Sequence, residues 1–190
     1  ENVKFLRSAG LRYLPLMLDN GGRWDLGNLE TLKREYGRLA DYYLDCHRQG
    51  VKIWINVFDD KIASYALRRS SFGASPCRSA QERVAIAPSG AIYPCVQFVQ
   101  DDEPHDRERW AMGDVFSGID RERQNRFQQC SAKPKAAECG ECVFFQRCSS
   151  GCSCDNYAAT GDPALPSEFM CEHERMIMPI ADRAASTLWK

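Results

Sequence analysis

Cysteine is the feature that most constrains this chain, because ten cysteines and only three histidines occur in 190 residues. The cysteines are Cys46, Cys77, Cys95, Cys130, Cys139, Cys142, Cys148, Cys152, Cys154 and Cys171. Nine of them follow residue 76, and five fall between Cys139 and Cys154. This concentration predicts that the second part of the chain is organised by thiol chemistry.

Three kinds of thiol chemistry could use so many cysteines. Disulfides need an oxidising compartment, and the sequence opens at Glu1 without a basic-then-apolar leader, so we expect reduced thiols in a cytoplasmic protein. Structural zinc takes four ligands and commonly uses Cys-x2-Cys pairs. Iron-sulfur clusters also take thiolates, four per cluster. The residue chemistry leaves zinc and iron-sulfur open as alternatives.

Composition excludes two broad classes of function. The chain has 25 Lys and Arg against 26 Asp and Glu, a formal net charge of −1, which excludes a bulk electrostatic nucleic-acid binder. The longest strongly apolar run, Leu11 to Leu18, is far shorter than the roughly 20 residues that cross a bilayer. We therefore expect neither nucleic acid nor membrane as a partner. The first residues have a pattern typical of the middle of a helix. We therefore also expect this chain to be a fragment of a longer protein.

The first third of the chain predicts a strand, a helix and a second strand. Leucines alternate between Leu11 and Leu18, apolar residues recur at helical spacing from the N-cap Asn28 to Gly50, and a β-rich run covers Val51 to Phe58. Short connections make this a βαβ unit with parallel strands. The strand ends carry polar residues, which either cap loops or contact a substrate: Asp19, Asn20, Asp59 and Asp60.

The remainder predicts a small set of elements around the cysteines. A hairpin is expected from Arg83 to Cys95, with helices at 61–69, 120–129 and 172–188, so that Cys171 precedes the last helix. Cys46 is expected to fill space in the core. His105 and His173 are expected at the surface.

The intervals between the cysteines carry a more specific signal. Cys77 is followed by twelve residues, Gly90, four residues and Cys95, and then by Cys139-x2-Cys142-x5-Cys148-x3-Cys152 and Cys171. This pattern resembles the C-terminal SPASM domain, a twitch-type auxiliary iron-sulfur domain, of radical S-adenosylmethionine (SAM) enzymes. The predicted βαβ unit looks like the end of the partial TIM barrel that precedes this domain in the family.

The resemblance implies two auxiliary [4Fe-4S] clusters. One would be held by Cys139, Cys142, Cys148 and Cys171, and the other by Cys77, Cys95 and Cys152. The fourth ligand of the second cluster is open, because Gln81, Glu82 and Arg83 stand where members with full ligation often carry a cysteine. Cys130 and Cys154 are candidates for an extra ligand, and an open iron that binds substrate is the other possibility.

Two departures from the family pattern affect function. The Cys-x3-Cys-x2-Cys motif of the catalytic cluster is absent, so this chain is not expected to cleave SAM, or to be catalytic, on its own. Sulfatase-maturing members place an Asp base after the second hairpin cysteine, where this chain has Val96, which disfavours sulfatase maturation. The missing N-terminal barrel would supply the catalytic cluster.

We therefore expect an α+β chain with two domains. Residues 1–70 would be the closing βαβ of a partial parallel (β/α) barrel, and residues 71–190 a loop-rich, cysteine-ligated SPASM domain with a β-hairpin and a C-terminal helix. The expected function is the metal-binding auxiliary part of a radical SAM oxidoreductase, a maturase that modifies a peptide or protein. The alternative is a zinc-stabilised scaffold that binds a peptide without a redox role.

Overall fold

The computed structural model describes residues 1–19, 22, 24–67, 79–100, 102–131, 137–148 and 152–188. The α-helices are α1 (Asn2–Ser8), α2 (Asn28–Arg48), α3 (Asn56–Leu67), α4 (Pro104–Trp110), α5 (Arg121–Ser131), α6 (Ser153–Thr160) and α7 (Glu168–Leu188). The strands are β1 (Tyr13–Leu14), β2 (Trp54–Ile55), β3 (Ala85–Ile86), β4 (Ile92–Tyr93), β5 (Gly113–Asp114) and β6 (Gly118–Ile119). No helix among these residues is long and apolar enough to cross a membrane.

The chain forms two compact units, and neither is continuous in sequence. Unit 1 comprises Glu1–Ala74, Cys142–Cys148 and Glu168–Lys190, and unit 2 comprises Ser75–Glu141 and Ser149–Ser167. The last helix therefore belongs to the same unit as the first 74 residues. The assignment of the two sequence ranges to a barrel end and an auxiliary domain stays a prediction.

Unit 1 contains the predicted strand-helix-strand arrangement. Strands β1 and β2 pair in parallel, with Tyr13 opposite Trp54 and Leu14 opposite Ile55, and α2 connects them. Leu14 is buried, and the alternation continues through the half-buried Leu16. The parallel pairing is confirmed, whereas the partial barrel to which we assigned it stays a prediction.

The second strand is shorter than expected, because α3 begins at Asn56 rather than at Lys61. The Asn56 side-chain amide donates to the Leu16 carbonyl oxygen at 2.9 Å, and its oxygen accepts from the Leu16 N–H at 2.7 Å. This side chain extends the parallel pairing while its backbone has already turned into a helix. The prediction of strand at Val57 and Phe58 is therefore wrong.

Helices α2 and α3 both pack against α7 to form the core of unit 1. The buried residues are Leu14, Ala40, Tyr43, Leu44, Cys46, Ile53, Ile55, Phe58, Ile62, Ile177, Ala181, Ala184 and Ala185. Cys46 is among them, which confirms that it fills space in the core. Helix α2 begins at Asn28 with Gly27 as its N-cap, so the assignment of Asn28 as the N-cap is wrong.

Two antiparallel hairpins form the sheets described in unit 2. Strands β3 and β4 pair with Ile86 opposite Ile92, and Gly90 in their turn has a φ of +89°, so the predicted hairpin is confirmed. Strands β5 and β6 form the second hairpin. The Met112 N–H donates to the Ile92 carbonyl oxygen at 2.6 Å, which joins the two hairpins.

Candidate metal centre

The first hairpin positions Cys95 at the end of β4. Tyr93 is fully buried, and its hydroxyl donates to Asp102 Oδ1 at 2.7 Å. Cys95 follows in extended backbone and is the N-cap of a short 3-10 helix, Val96–Phe98. A buried strand therefore holds the backbone of this cysteine, while its side chain stays half-buried.

The start of α6 supplies two more thiols to unit 2. Cys152 is the N-cap of this helix and Cys154 lies in its first turn. The helix ends at Thr160, and its C-cap Gly161 has a φ of +77°, a left-handed conformation that favours glycine. Cys154 is 6% exposed, whereas Cys152 is half-buried.

The Cys154 thiol contacts both other sulfurs. It is in hydrogen-bond contact with Cys95 and with Cys152. Donation from Cys154 lowers the pKa of Cys95 to about 6, and the Ser79 hydroxyl and the N–H groups of Val96 and Gln97 act in the same direction. The contact with Cys154 also lowers the pKa of Cys152, while the contacts with both sulfurs and burial raise the pKa of Cys154 itself.

An aromatic core surrounds this thiol group. Phe98 is fully buried and stacks on Tyr157 with ring centroids 5.4 Å apart. The rings of Trp110 and Phe127 also pack on Phe98, with centroids 4.8 and 5.2 Å from the Phe98 centroid. Cys154 belongs to this core, and Cys95 and Cys152 pack against it. The three thiols therefore lie at the boundary between an apolar interior and the surface of unit 2.

Unit 1 holds three other candidate ligands. Cys142 and Cys148 bound a segment of consecutive turns that contains the 3-10 helix Phe145–Arg147, and both are half-buried. Cys171 lies within α7, because this helix begins at Glu168. The prediction that Cys171 precedes the helix is therefore wrong. Arg175, one turn further along α7, contacts the Cys142 side chain and pairs with Glu172 at 2.6 Å.

Arg147 fixes the backbone of the Cys142–Cys148 segment within unit 1. Its guanidinium donates through both terminal nitrogens to the Asp182 carboxylate, with Nη1 2.9 Å from Oδ2. It also donates to the Ser64 hydroxyl at 3.0 Å and to the Lys61 carbonyl oxygen at 3.1 Å. A single side chain thus ties the residue before Cys148 to two helices.

The remaining candidates are Cys139, Cys130 and Cys77. Cys139 ends the 3-10 helix Ala137–Cys139 and is half-buried, and Cys130 is exposed on α5. Cys77 lies outside the described residues. Within the ranges described, no three side chains of His, Cys, Asp or Glu are placed to hold a single metal ion. The proposed division of ligands between two clusters stays a prediction.

The polar residues at the strand ends show a structural role. Asp59 accepts hydrogen bonds from the Ile55 N–H at 2.7 Å and from the Tyr43 hydroxyl at 2.9 Å. The Asp19 carbonyl oxygen accepts from Trp24 Nε1 at 2.7 Å. Asn20 lies outside the described residues. Asp59 therefore stabilises the junction between β2 and α3, as the capping interpretation predicts.

The two histidines that we expected at the surface, His105 and His173, differ in exposure. His105 is exposed, as predicted, but the prediction that His173 lies at the surface is wrong. His173 is buried on α7, with Nε2 3.2 Å from the Tyr36 hydroxyl. Burial lowers the pKa of His173, so this imidazole is neutral at physiological pH.

Comparison with known proteins identifies the fold. No protein-family model matches the sequence, and no curated protein matches it. Solved structures of anSMEcpe, an anaerobic sulfatase-maturating enzyme, are similar over 98% of this chain. Native anSMEcpe with bound AdoMet is 19% identical with a TM-score of 0.70, and its complexes with AdoMet and the Cp18Cys or Kp18Cys peptide are 20% and 21% identical with TM-scores of 0.72. The chain spans about half the length of these structures, 52% in each of the three.

Proposed function

We propose that this chain is the auxiliary [4Fe-4S]-binding part of a radical SAM oxidoreductase that modifies a peptide or protein. The observation that carries the proposal is the structural similarity to an enzyme with bound AdoMet over 98% of the chain. The cysteine intervals resemble those of the auxiliary domain and add support that the fold alone does not provide. The remaining half of such an enzyme would supply the cluster that cleaves SAM.

Two sets of thiols would hold the clusters. One set is Cys139, Cys142, Cys148 and Cys171, and the other contains Cys77, Cys95 and Cys152. The described thiols suit this role chemically, because sulfur ligands without histidine suit iron-sulfur clusters at least as well as zinc, and the half-buried Cys95 and Cys152 pack against an apolar core. Bound clusters would supply one-electron transfer, or a Lewis-acidic iron if one corner stays open.

The protein side chains would orient the thiols. Arg147 holds the Cys142–Cys148 segment through four hydrogen bonds, which would position Cys148 to hold an iron. Arg175 places its guanidinium in contact with the Cys142 side chain, where it would help to orient this cysteine. On the other site, Ser79 and the N–H groups after Cys95 favour the thiolate of that residue. These contacts would tune the potential of each cluster.

A peptide or protein is the substrate class that the comparisons favour. Two of the similar structures contain a bound peptide. In this chain the residue after the hairpin cysteine is Val96, which is 70% exposed and has no group that can accept a proton. We therefore propose peptide modification by a reaction that does not use a base at this position.

Metal and acid-labile sulfide analysis of the protein purified without oxygen tests the proposal. We expect roughly eight irons with matching sulfide per chain. Cys142→Ala should lose about four irons and lower the melting temperature, because cluster binding contributes to the free energy of folding. Cys46→Ala, at a cysteine buried in an apolar core, is the matched control and should keep all iron.

Two results would contradict the proposal. One or two zinc ions without sulfide, persisting after anaerobic reconstitution, would support the zinc-stabilised scaffold. Full iron content and an unchanged melting temperature in Cys142→Ala would remove this cysteine from the ligand set.

A further inference from the structure

We propose that a cavity in unit 2 binds a carboxylate of a peptide or protein substrate through Arg109. The cavity has a volume of about 290 Å³ and lies between α4, α5 and the loop that follows α6. The inference rests on the proposed function for the source of the carboxylate, because the proposed substrate is a peptide or protein. It adds a ligand-binding site that uses no cysteine.

The first argument is the unmet hydrogen-bonding capacity of Arg109, which lines the cavity. Helices α4 and α5 carry five arginines. Four of them donate to oxygen atoms of the protein: Arg107, Arg121, Arg123 and Arg126. Within the described ranges, no oxygen atom accepts a hydrogen bond from the guanidinium of Arg109. Its donors are therefore available to a ligand.

The second argument is that aromatic rings hold this guanidinium in place. Its central carbon lies 5.1 Å from the ring centroid of Trp110 and 5.1 Å from that of Tyr157. The rings attract the positive charge, but they do not replace an oxygen acceptor for the N–H donors. Because the side chain is already placed by the rings, binding an anion costs less conformational entropy than it would at a freely moving arginine.

The third argument is the charge around the cavity, which favours an anion with a single negative charge. Three arginines line the cavity together with the carboxylates of Glu108 and Asp162. Asp162 Oδ1 accepts from the Ala164 N–H at 2.8 Å, so this carboxylate is engaged in the loop after α6. Both carboxylates repel a phosphate, with nearly two negative charges, more strongly than a carboxylate. The planar guanidinium also matches a carboxylate through two parallel hydrogen bonds.

The fourth argument is the size and the apolar lining of the cavity. Pockets for small-molecule ligands usually measure roughly 300–1,000 Å³, so this cavity suits one or two residues of a peptide better than a large ligand. Trp110 and Phe127 both line it, with ring centroids 6.4 Å apart in an edge-to-face arrangement. These rings offer apolar surface to a residue next to the carboxylate. The ligand we infer is therefore a carboxylate flanked by an apolar side chain.

Isothermal titration calorimetry of the full chain with short synthetic peptides tests the inference. The first peptide has one internal glutamate between leucines, an acetylated N-terminus and an amidated C-terminus. Arg109→Gln should weaken its binding by about tenfold or more, because charge-assisted hydrogen bonds are lost. Glu108→Gln should strengthen binding, because it removes a negative charge that repels the ligand. Far-UV circular dichroism establishes that each variant is folded.

Arg121→Gln is the matched control. It removes the same charge from α5 at a residue that is not among those lining the cavity, and its side chain donates to Gln124 instead. This variant should bind the glutamate peptide nearly as well as the wild type. An equal loss of affinity in Arg121→Gln and Arg109→Gln would overturn the inference, because it would show that only the overall charge of this surface matters.

Two further peptides distinguish the possible sources of the carboxylate. One replaces the glutamate by glutamine and has a free C-terminal carboxylate, and the other has glutamine and an amidated C-terminus. Binding of either carboxylate-containing peptide that depends on Arg109 supports the inference, and the preferred peptide shows whether a side chain or a chain end is recognised. Equal binding of the peptide without a carboxylate, or no binding of any peptide, would overturn it. Absence of iron from the same wild-type samples would instead contradict the proposed function.

Discussion

Lys61 and Glu174 form a buried ion pair in which Nζ lies 2.8 Å from both carboxylate oxygens. The lysine comes from α3 and the glutamate from α7, and their side chains are 10% and 4% exposed. Both charges were removed from water when the helices packed, so each depends on the other for compensation.

Removal of one partner should therefore destabilise the protein strongly. We expect Lys61→Ala to lower the free energy of unfolding by about 3–5 kcal/mol, because it removes the ammonium group that lies 2.8 Å from both oxygens of a buried carboxylate. Urea unfolding measures the change. Lys33→Ala is the control, since Lys33 pairs with Glu30 at an exposed site and should cost less than about 1 kcal/mol. Equal losses in the two variants would show that the buried pair is not a stabilising contact.

Arg147→Lys should destabilise unit 1 although it keeps the charge. Lysine carries its donors on a single nitrogen and cannot form the two-nitrogen contact with Asp182 while also reaching Ser64 and the Lys61 carbonyl oxygen, so we expect a loss of about 1–3 kcal/mol in urea unfolding. Arg48→Lys, at an exposed pair with Asp45, should change stability by less than about 0.5 kcal/mol. Coincident unfolding curves for Arg147→Lys and the wild type would contradict the role assigned to this guanidinium.

Tyr36 should make the protein lose stability in alkaline solution. Burial first, and the nearby charge of Glu174 second, raise the pKa of Tyr36 to about 12. The folded protein therefore keeps a proton that the unfolded chain releases near pH 10, and stability present below pH 10 declines as the pH rises toward 12, by at most about 1.4 kcal/mol per pH unit for this group. Tyr36→Phe should flatten the decline, as measured by urea unfolding from pH 9 to 11.5. If the free energy of unfolding falls equally with pH in the variant and the wild type, Tyr36 does not cause the decline.

Two glycine-to-alanine substitutions should change the stability of the protein in opposite directions. Gly113 has a φ of +139°, and a Cβ there would overlap the carbonyl oxygen of Gly118, so Gly113→Ala should cost at least about 2 kcal/mol. Gly37 lies inside α2 with no atom close to where a Cβ would stand, so Gly37→Ala should stabilise the protein by about 0.5–1 kcal/mol. Melting temperatures that shift in the same direction would disprove the contrast.

Patterns local in sequence predicted several elements of this fold, but not α4, α6 or the β5–β6 hairpin. Alternating leucines and helical spacing located β1 and α2, and a proline-serine-glycine turn located the β3–β4 hairpin. The boundary of β2 was not predictable in this way, because Asn56 replaces strand pairing with side-chain contacts to Leu16, forty residues earlier in the chain. The β-branched residues Ile53, Ile55 and Val57 favour a strand in the local sequence, and this local signal contains no information about the distant partner Leu16.

The candidate site was predictable only as a set of residue types. Intervals between cysteines predicted cluster ligation, but they could not show that Cys154 is buried and Cys130 exposed, since burial depends on how α6 packs against the hairpin. The burial of His173 was missed for a related reason. Its partner Tyr36 lies on α2, 137 residues away, and no local pattern marks that contact.

The interleaving of the two units has a consequence for synthesis on the ribosome. The chain passes between the units four times, at residues 74–75, 141–142, 148–149 and 167–168. Asp182, which anchors Arg147, and Glu174, which pairs with Lys61, are both translated after all of unit 2. Unit 1 is therefore begun before unit 2 and completed after it, and a chain that stops before α7 lacks the carboxylate that pairs with Lys61.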